Sequence, residues 1–135
     1  MCFREKYSIQ EALEGEKMEM ERQLREELIG LGKLFLHSYF AEGDVEKILT
    51  YFAPDIIWMG WGQHQQLKGI EAVAAYFRAG QKDLVRCDIS EETYFIREIG
   101  DGLYFSECTC WLQARPDSPV FFRGQQKTTS IFRKI

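Results

Sequence analysis

The side chains able to bind a ligand or move a proton fall at a few points along the chain. Trp58 and Trp61 bracket the stretch WMGW, and His64 follows in a glycine-rich segment. An imidazole there titrates near neutral pH and could carry a proton or orient a ligand. The competing reading makes both tryptophans core or rim packing and His64 a solvated loop residue. Glu107, Trp111 and Arg123 form a second group. A guanidinium lying on an indole contributes about 0.5 to 1 kcal/mol when exposed and more when desolvated. On a cavity wall, Arg123 could hold a ligand carboxylate and Glu107 could act as a base with a raised pKa. On a rim or interface the same residues are structural ion pairs. Tyr39 could present its hydroxyl to a cavity, although its apolar body alone would justify it. His37 reads as a helix-surface residue.

The four cysteines, Cys2, Cys87, Cys108 and Cys110, form neither a paired metal knuckle nor a small secreted disulfide framework. Cys108 and Cys110 lie two apart in strand-like sequence and so share a face. With Cys87 they could bind a soft metal, but no histidine lies nearby in sequence, and buried free thiols are the default. No glycine loop suited to cradling phosphate is present, so no metal, nucleotide or flavin cofactor is expected.

The 135 residues fit one domain. The 14% aromatic content favours a packed interior or an aromatic-lined cavity. A net charge of −4 repels phosphate backbones and anionic lipid, which argues against a nucleic-acid partner. The first twenty residues are charged throughout, and no apolar run is long enough to span a bilayer. No membrane association and a cytoplasmic location are therefore expected.

These side chains need a scaffold, and the apolar pattern supplies one. Ile9, Leu13, Met20, Leu24, Leu28, Leu31 and Phe35 recur at helical spacing, which predicts one amphipathic helix running to about Phe40. At 1.5 Å per residue it is about 45 Å long, more than one small domain needs to cover its sheet. Its charged first half is either a solvated helix or a dimerising or signalling helix. Asp44 is an N-cap for a short second helix through Val45, Ile48 and Leu49. A strand is expected at Ile56 to Gly60, a turn through Gln63 to Gln66, and a third helix from Gly69 with Ile70, Val73, Ala74 and Phe77 on its apolar stripe. Three long strands follow, from about Leu84 to Ile99, Leu103 to Ala114 and Val120 to Ile135, turning at Gly100-Asp101-Gly102 and at Arg115 to Pro119.

Pairing Gly100 with Leu103 and Ala114 with Val120 sorts the side chains into two faces, unless a bulge intervenes. One face collects Phe95, Ile99, Tyr104, Cys108, Cys110, Leu112, Phe122 and Phe132. The other collects Tyr94, Ile96, Phe105, Trp111, Phe121 and Ile131, with Glu107, Arg123 and Lys127 among them. Helices can cover only one of these apolar faces, so a homodimer pairing sheet to sheet is expected.

This order of elements, together with FAPDIIWMGWGQHQQLKGIEAVAAYF, resembles the NTF2-like superfamily and its SnoaL-like branch. The matching features are Phe52, Asp55, Trp58, Gly69, Ala72 and Phe77, and the similarity covers Leu28 to Ile135. The resemblance implies a cone-shaped α+β fold, with N-terminal helices on a strongly curved, mainly antiparallel sheet, a pocket between them and often a homodimer. Relatives include polyketide cyclases, ketosteroid isomerases, dehydratases, partner-binding modules and ligand-sensing domains attached to signalling proteins, so fold alone fixes no activity. This chain lacks the matching Asp/His or Tyr/Asp catalytic set. The family also continues past a strand like TTSIFRKI into one further strand. The expectation is therefore a helical extension at 1–27 and a domain at 28–135 without its last strand, as a piece of a longer protein. The function expected is non-catalytic small-molecule binding, sensory or regulatory, with Tyr39, Trp58, Trp61, His64, Trp111 and Arg123 as ligand-binding residues. The alternative is a cofactor-independent isomerase, cyclase or dehydratase using Glu107 or His64 as proton carrier.

Overall fold

A computed structural model of the chain describes residues 2–60 and 65–134, and of residues 2–13, 17 and 20 the backbone alone. The expected long helix is present as α1 (Cys2–Leu36). Leu28, Gly32 and Leu36, four residues apart, follow one stripe of it, and both leucines are buried. Glycine is needed at the middle position because a Cβ on Gly32 would stand 3.2 Å from Cε1 of Tyr94 on the sheet below. From Glu14 to Glu27 the described side chains are exposed except Leu24, which is half-buried.

The chain then leaves α-helical spacing. His37–Glu42 forms a π-helical turn, closed by Gly43 in the left-handed region at φ 65°, whose N–H donates to the Ser38 carbonyl. Asp44 caps α2 (Val45–Leu49) by accepting from the Lys47 amide at 3.1 Å, as expected for a carboxylate before a helix. Next comes a short hairpin, β1 (Ile57–Met59) paired antiparallel with β2 (Gln66–Lys68) and closed by the Gly60 N–H to the Gln65 carbonyl at 3.0 Å. The sequence predicts a turn over Gln63 to Gln66; the structure begins a strand at Gln66, and three residues are too few to show a period of two. α3 (Ile70–Gly80) buries Val73, Ala74 and Phe77, as its stripe predicts.

The remaining chain is a meander of β3 (Cys87–Gly100), β4 (Leu103–Ala114) and β5 (Arg123–Arg133), in the order β3-β4-β5. β3 starts at Cys87 rather than Leu84 and β5 at Arg123 rather than Val120, which leaves Val120, Phe121 and Phe122 outside the ladder and exposed. The first hairpin does set Gly100 opposite Leu103. In the second, Gln113 faces Arg123, two residues from the expected pairing, and an even slip keeps every side chain on its face.

The odd slips in β3 matter more. Register shifts fall between Ser90 and Thr93 and between Glu98 and Gly100, and Glu91 in the first of them has φ 53°. Each bulge turns the following residues over. Tyr94 therefore stands opposite Cys108 and Ile96 opposite Ser106, while Phe95 stands opposite Glu107. This corrects the simple register: Tyr94 and Ile96 move to the cysteine face, and Phe95 and Ile99 to the other.

Helices cover the cysteine face. Leu36 packs with Cys87, Cys108, Cys110 and Leu112, flanked by Phe40, Val85, Ile89 and Tyr94. A second cluster joins Val45, Val73 and Phe77 to Tyr39, Leu49, Phe52, Trp58 and Leu84. The outer sheet face stays open, with Phe95 55% and Ile131 66% exposed. Asp55 before β1 is tied to Arg133 at the end of β5 by two hydrogen bonds of 3.0 and 3.1 Å. The Arg133 guanidinium holds that carboxyl below its usual range.

A left-handed residue other than glycine costs about 1–2 kcal/mol, whereas glycine in an ordinary strand position weakens it by about 0.5–1 kcal/mol. Glu91→Gly is accordingly expected to leave the urea midpoint unchanged or raise it. Gln125→Gly, at an exposed position of β5, should lower it.

Candidate functional site

The π-helical turn sets Tyr39 where three elements meet. Tyr39 stacks on Phe35 one turn earlier, with ring centroids 5.8 Å apart and planes 6° from parallel. Phe77 of α3 meets Tyr39 edge-on at 5.5 Å and Trp58 of β1 edge-on at 4.8 Å. Phe52 lies 6.1 Å from Phe35 and 5.9 Å from Phe77. Aromatic pairs in these geometries contribute about 0.5–1.5 kcal/mol each beyond their buried area. Trp58 is thus committed to packing.

Beside this cluster a cleft of about 430 Å³ opens to solvent, lined by Tyr39, Tyr76, Phe77, Ala79, Gly80 and Leu84. Its volume lies in the range that holds small molecules. Burial, and then the nearby Tyr76, push the Tyr39 phenol above its usual pKa, so it stays protonated and able to donate. The Tyr76 hydroxyl accepts from Gln65 Nε2 at 2.6 Å. A groove of about 330 Å³ on another side of α3, lined by Ile70, Glu71, Ala74, Ala75 and Arg78, has no aromatic wall.

The other side of the π turn carries a feature the sequence did not predict. His37 Nε2 is hydrogen-bonded to Glu92 Oε1, 55 residues away. Two backbone irregularities make the bond: the π turn presents His37, and the bulge at Glu91 presents Glu92. Irregularities of both kinds recur at functional sites. His37 is at the surface, as its sequence suggests, but it is not unpartnered. Nothing in the local sequence of either residue marks the pair.

Beneath it, the Tyr94 hydroxyl is buried with no nitrogen or oxygen partner and lies against Cys108. Burial and then the Cys108 neighbour push this phenol far above its usual range. Burial likewise raises Cys87 and Cys108, and burial followed by Cys108 raises Cys110 to about 11. At neutral pH these are thiols rather than thiolates, which makes them weak nucleophiles. Among the described residues no three ligating side chains converge on a metal position.

The remaining expected site residues lie elsewhere. Trp61 and His64 fall outside the described residues. Arg123 lies over the Trp111 ring at 5.2 Å, as expected, and Glu107 pairs with Lys127 at 3.4 Å. All four are on the outer sheet face, while Tyr39 and Trp58 lie among the helices on the other side. The structure therefore does not bring Trp111, Arg123 and Glu107 into one site with Tyr39. A part-exposed pair such as Glu107–Lys127 contributes about 0–1 kcal/mol.

Helices laid on one face of an antiparallel meander, with a short hairpin packed against the last of them, define the cone-shaped α+β class of NTF2-like proteins. A family model described as a SnoaL-like domain matches residues 34–102, so the chain belongs to the SnoaL-like domain family. The fold is shared with an NTF2-like protein of unknown function from Pseudomonas putida, at 17% identity over 83% of this chain and 77% of that one, TM-score 0.64. A protein of unknown function with a cystatin-like fold from Nostoc punctiforme is 26% identical over 82% of this chain and 80% of its own, TM-score 0.61. A ketosteroid isomerase-like protein from Erwinia carotovora atroseptica is 15% identical over 78% of this chain and 80% of its own, TM-score 0.58. No curated protein matches the chain. Among the described residues no helix is long and apolar enough to cross a membrane.

The raised thiols fix an alkaline limit. Cys110 has an ordinary pKa of 9.0 and a folded value of about 11. Its protonated state therefore supports folding fully below pH 9, and that support is lost as pH rises through 11. Urea midpoints are expected to fall between pH 9 and 11, and iodoacetamide at pH 8 should label Cys108 and Cys110 far more slowly in native than in urea-unfolded protein. Labelling at equal rates would contradict the burial.

Proposed function

We propose that this domain binds a small molecule without transforming it, as a sensory or regulatory module in the cytoplasm. The observation that carries the reading is the cleft at Tyr39. A ligand there touches the last turn of the helix that begins with α1, so occupancy has a direct mechanical route to thirty-five residues of continuous helix. The protein works as a homodimer through the outer sheet face, where Phe95, Ile99, Leu103 and Ile131 would otherwise remain exposed. Residues 1–27 then serve as the extension that carries the signal to a further module of a longer protein.

Native mass spectrometry of gently purified protein tests both parts. The expected spectrum is a dimer with stoichiometric extra mass. Gly80→Trp should lose that mass, because a Cβ at Gly80 meets nothing within 4 Å and an indole there would fill the cleft. Ile131→Glu should give monomer. A bare monomer from the unaltered chain would contradict the account of the sheet face, and extra mass retained in Gly80→Trp would contradict the account of the cleft.

A second reading, proton-transfer catalysis on a carbonyl compound, is favoured by the His37–Glu92 bond, since a carboxylate holding an imidazole is the arrangement of a general base. It predicts carbonyl turnover that vanishes in His37→Ala with folding intact and survives in Glu107→Gln, whose site is on the other face of the sheet. Turnover indifferent to His37→Ala would remove the dyad from the chemistry.

A further inference from the structure

α1 carries an apolar row that runs on past the domain. Cys2, Leu13, Leu24 and Phe35 fall at every eleventh position, and so do Ile9, Met20 and Leu31. Eleven residues make about three turns of α-helix, so on the continuous backbone of Cys2–Leu36 the two sets form one nearly straight stripe. Inside the domain the stripe is occupied: Phe35 stacks on Tyr39 at 5.8 Å and tilts against Trp58 at 6.1 Å. Further out it is open to solvent. Leu31 is 38% exposed, and the described side chains from Glu14 to Glu27 are exposed except the half-buried Leu24. A helix standing alone in water is marginal, because most helical stability in proteins comes from packing an amphipathic face.

The residues beside the stripe point to what covers it. Glu5, Glu16 and Glu27 recur at the same eleven-residue step along one flank, and Lys6 and Lys17 along the other. Two such helices side by side and parallel set the glutamate flank of each beside the lysine flank of its partner. An antiparallel pair would set glutamate beside glutamate and lysine beside lysine, which is repulsive. Away from the stripe, Arg22 and Glu19 satisfy each other at 2.6 Å, as on a solvated face. We propose that α1 pairs with the same helix of a second copy of this chain, as a parallel, in-register two-stranded coiled coil wound on the eleven-residue repeat. The row then ends with Cys2 beside the partner's Cys2. This contact goes beyond the binding reading above and is separate from the outer sheet face, which lies on the other side of the sheet from the helices. Fewer than three repeats meet, so the pairing is the weaker of the two: dilute Ile131→Glu stays monomeric, and concentrated protein pairs through the helix.

Thiol oxidation of the full-length chain carrying Ile131→Glu reads the helix contact alone. Concentrated protein treated with copper-phenanthroline is expected to give a disulfide-linked dimer on a non-reducing gel. Cys2→Ser should abolish it, since Cys87, Cys108 and Cys110 are buried. Cys2→Ser combined with Glu19→Cys, which moves the thiol to the far side of the helix, should cross-link only in traces. Leu24→Glu should slow cross-linking at Cys2 about tenfold. Charge reversal checks the orientation without touching the stripe: Lys17→Glu should slow cross-linking about threefold, and adding Glu16→Lys should restore it. No dimer through Cys2, a rate indifferent to Leu24→Glu, or a rate no faster than that of the thiol at position 19 overturns the pairing. A double variant as slow as Lys17→Glu overturns the parallel arrangement. None of these outcomes bears on the cleft or on the sheet face, which the spectra described above test by themselves.

Discussion

Phe77 makes the contacts on which the rest of the helical layer depends. It meets Tyr39 from the turn after the first helix and Trp58 from the short hairpin edge to face, so one ring ties together three segments. It can do so because α3 buries Val73, Ala74 and Phe77 along one stripe, leaving Tyr76 and Ala79 to face outward. The cleft follows from this arrangement. It is the space left where α3 ends, at Gly80, before the chain turns towards Leu84 and the sheet, and its floor is the same Phe77 that closes the core. Cleft and core are thus two sides of one aromatic cluster, and Tyr39 belongs to both.

The sheet obeys a different constraint. A long strand covered by helices on one side must bring apolar side chains to that side, and β3 does so with irregular residues. The shift around Glu91 exposes that residue in a left-handed conformation, turns Tyr94 and Ile96 inward, and delivers Glu92 to His37. The consequence on the far side is an outer face carrying Phe95, Ile99 and Ile131 alongside the Arg123–Trp111 and Glu107–Lys127 pairs.

Period and punctuation made most of this architecture legible in the sequence. The helical stripes of Leu28 to Phe35 and of Ile70 to Phe77, the cap at Asp44 and the Gly100–Gly102 turn each state their structure locally, and the Arg123–Trp111 contact followed from strand spacing. What was not legible arises where local sequence is silent. The shift between Glu98 and Gly100 is marked by no special residue, so the face assignment of Phe95 and Tyr94, counted from the Gly100–Leu103 pair, came out reversed. The π turn leaves no mark beyond a helix that ends at glycine. His37 and Glu92 therefore meet through two departures from regular geometry, neither of which spacing could predict. Tyr76 lies off the apolar stripe of its helix, and nothing in its spacing points to the Gln65 contact or to the cleft at the end of α3.

The claim at the centre of this account is that the space between Tyr39, Tyr76 and Leu84 is a binding site. A crystal structure of protein purified gently enough to keep any molecule it carries from the host tests it most directly. The account predicts that molecule against Phe77 and Leu84 in this cleft. A molecule bound elsewhere, with this cleft empty, would contradict it.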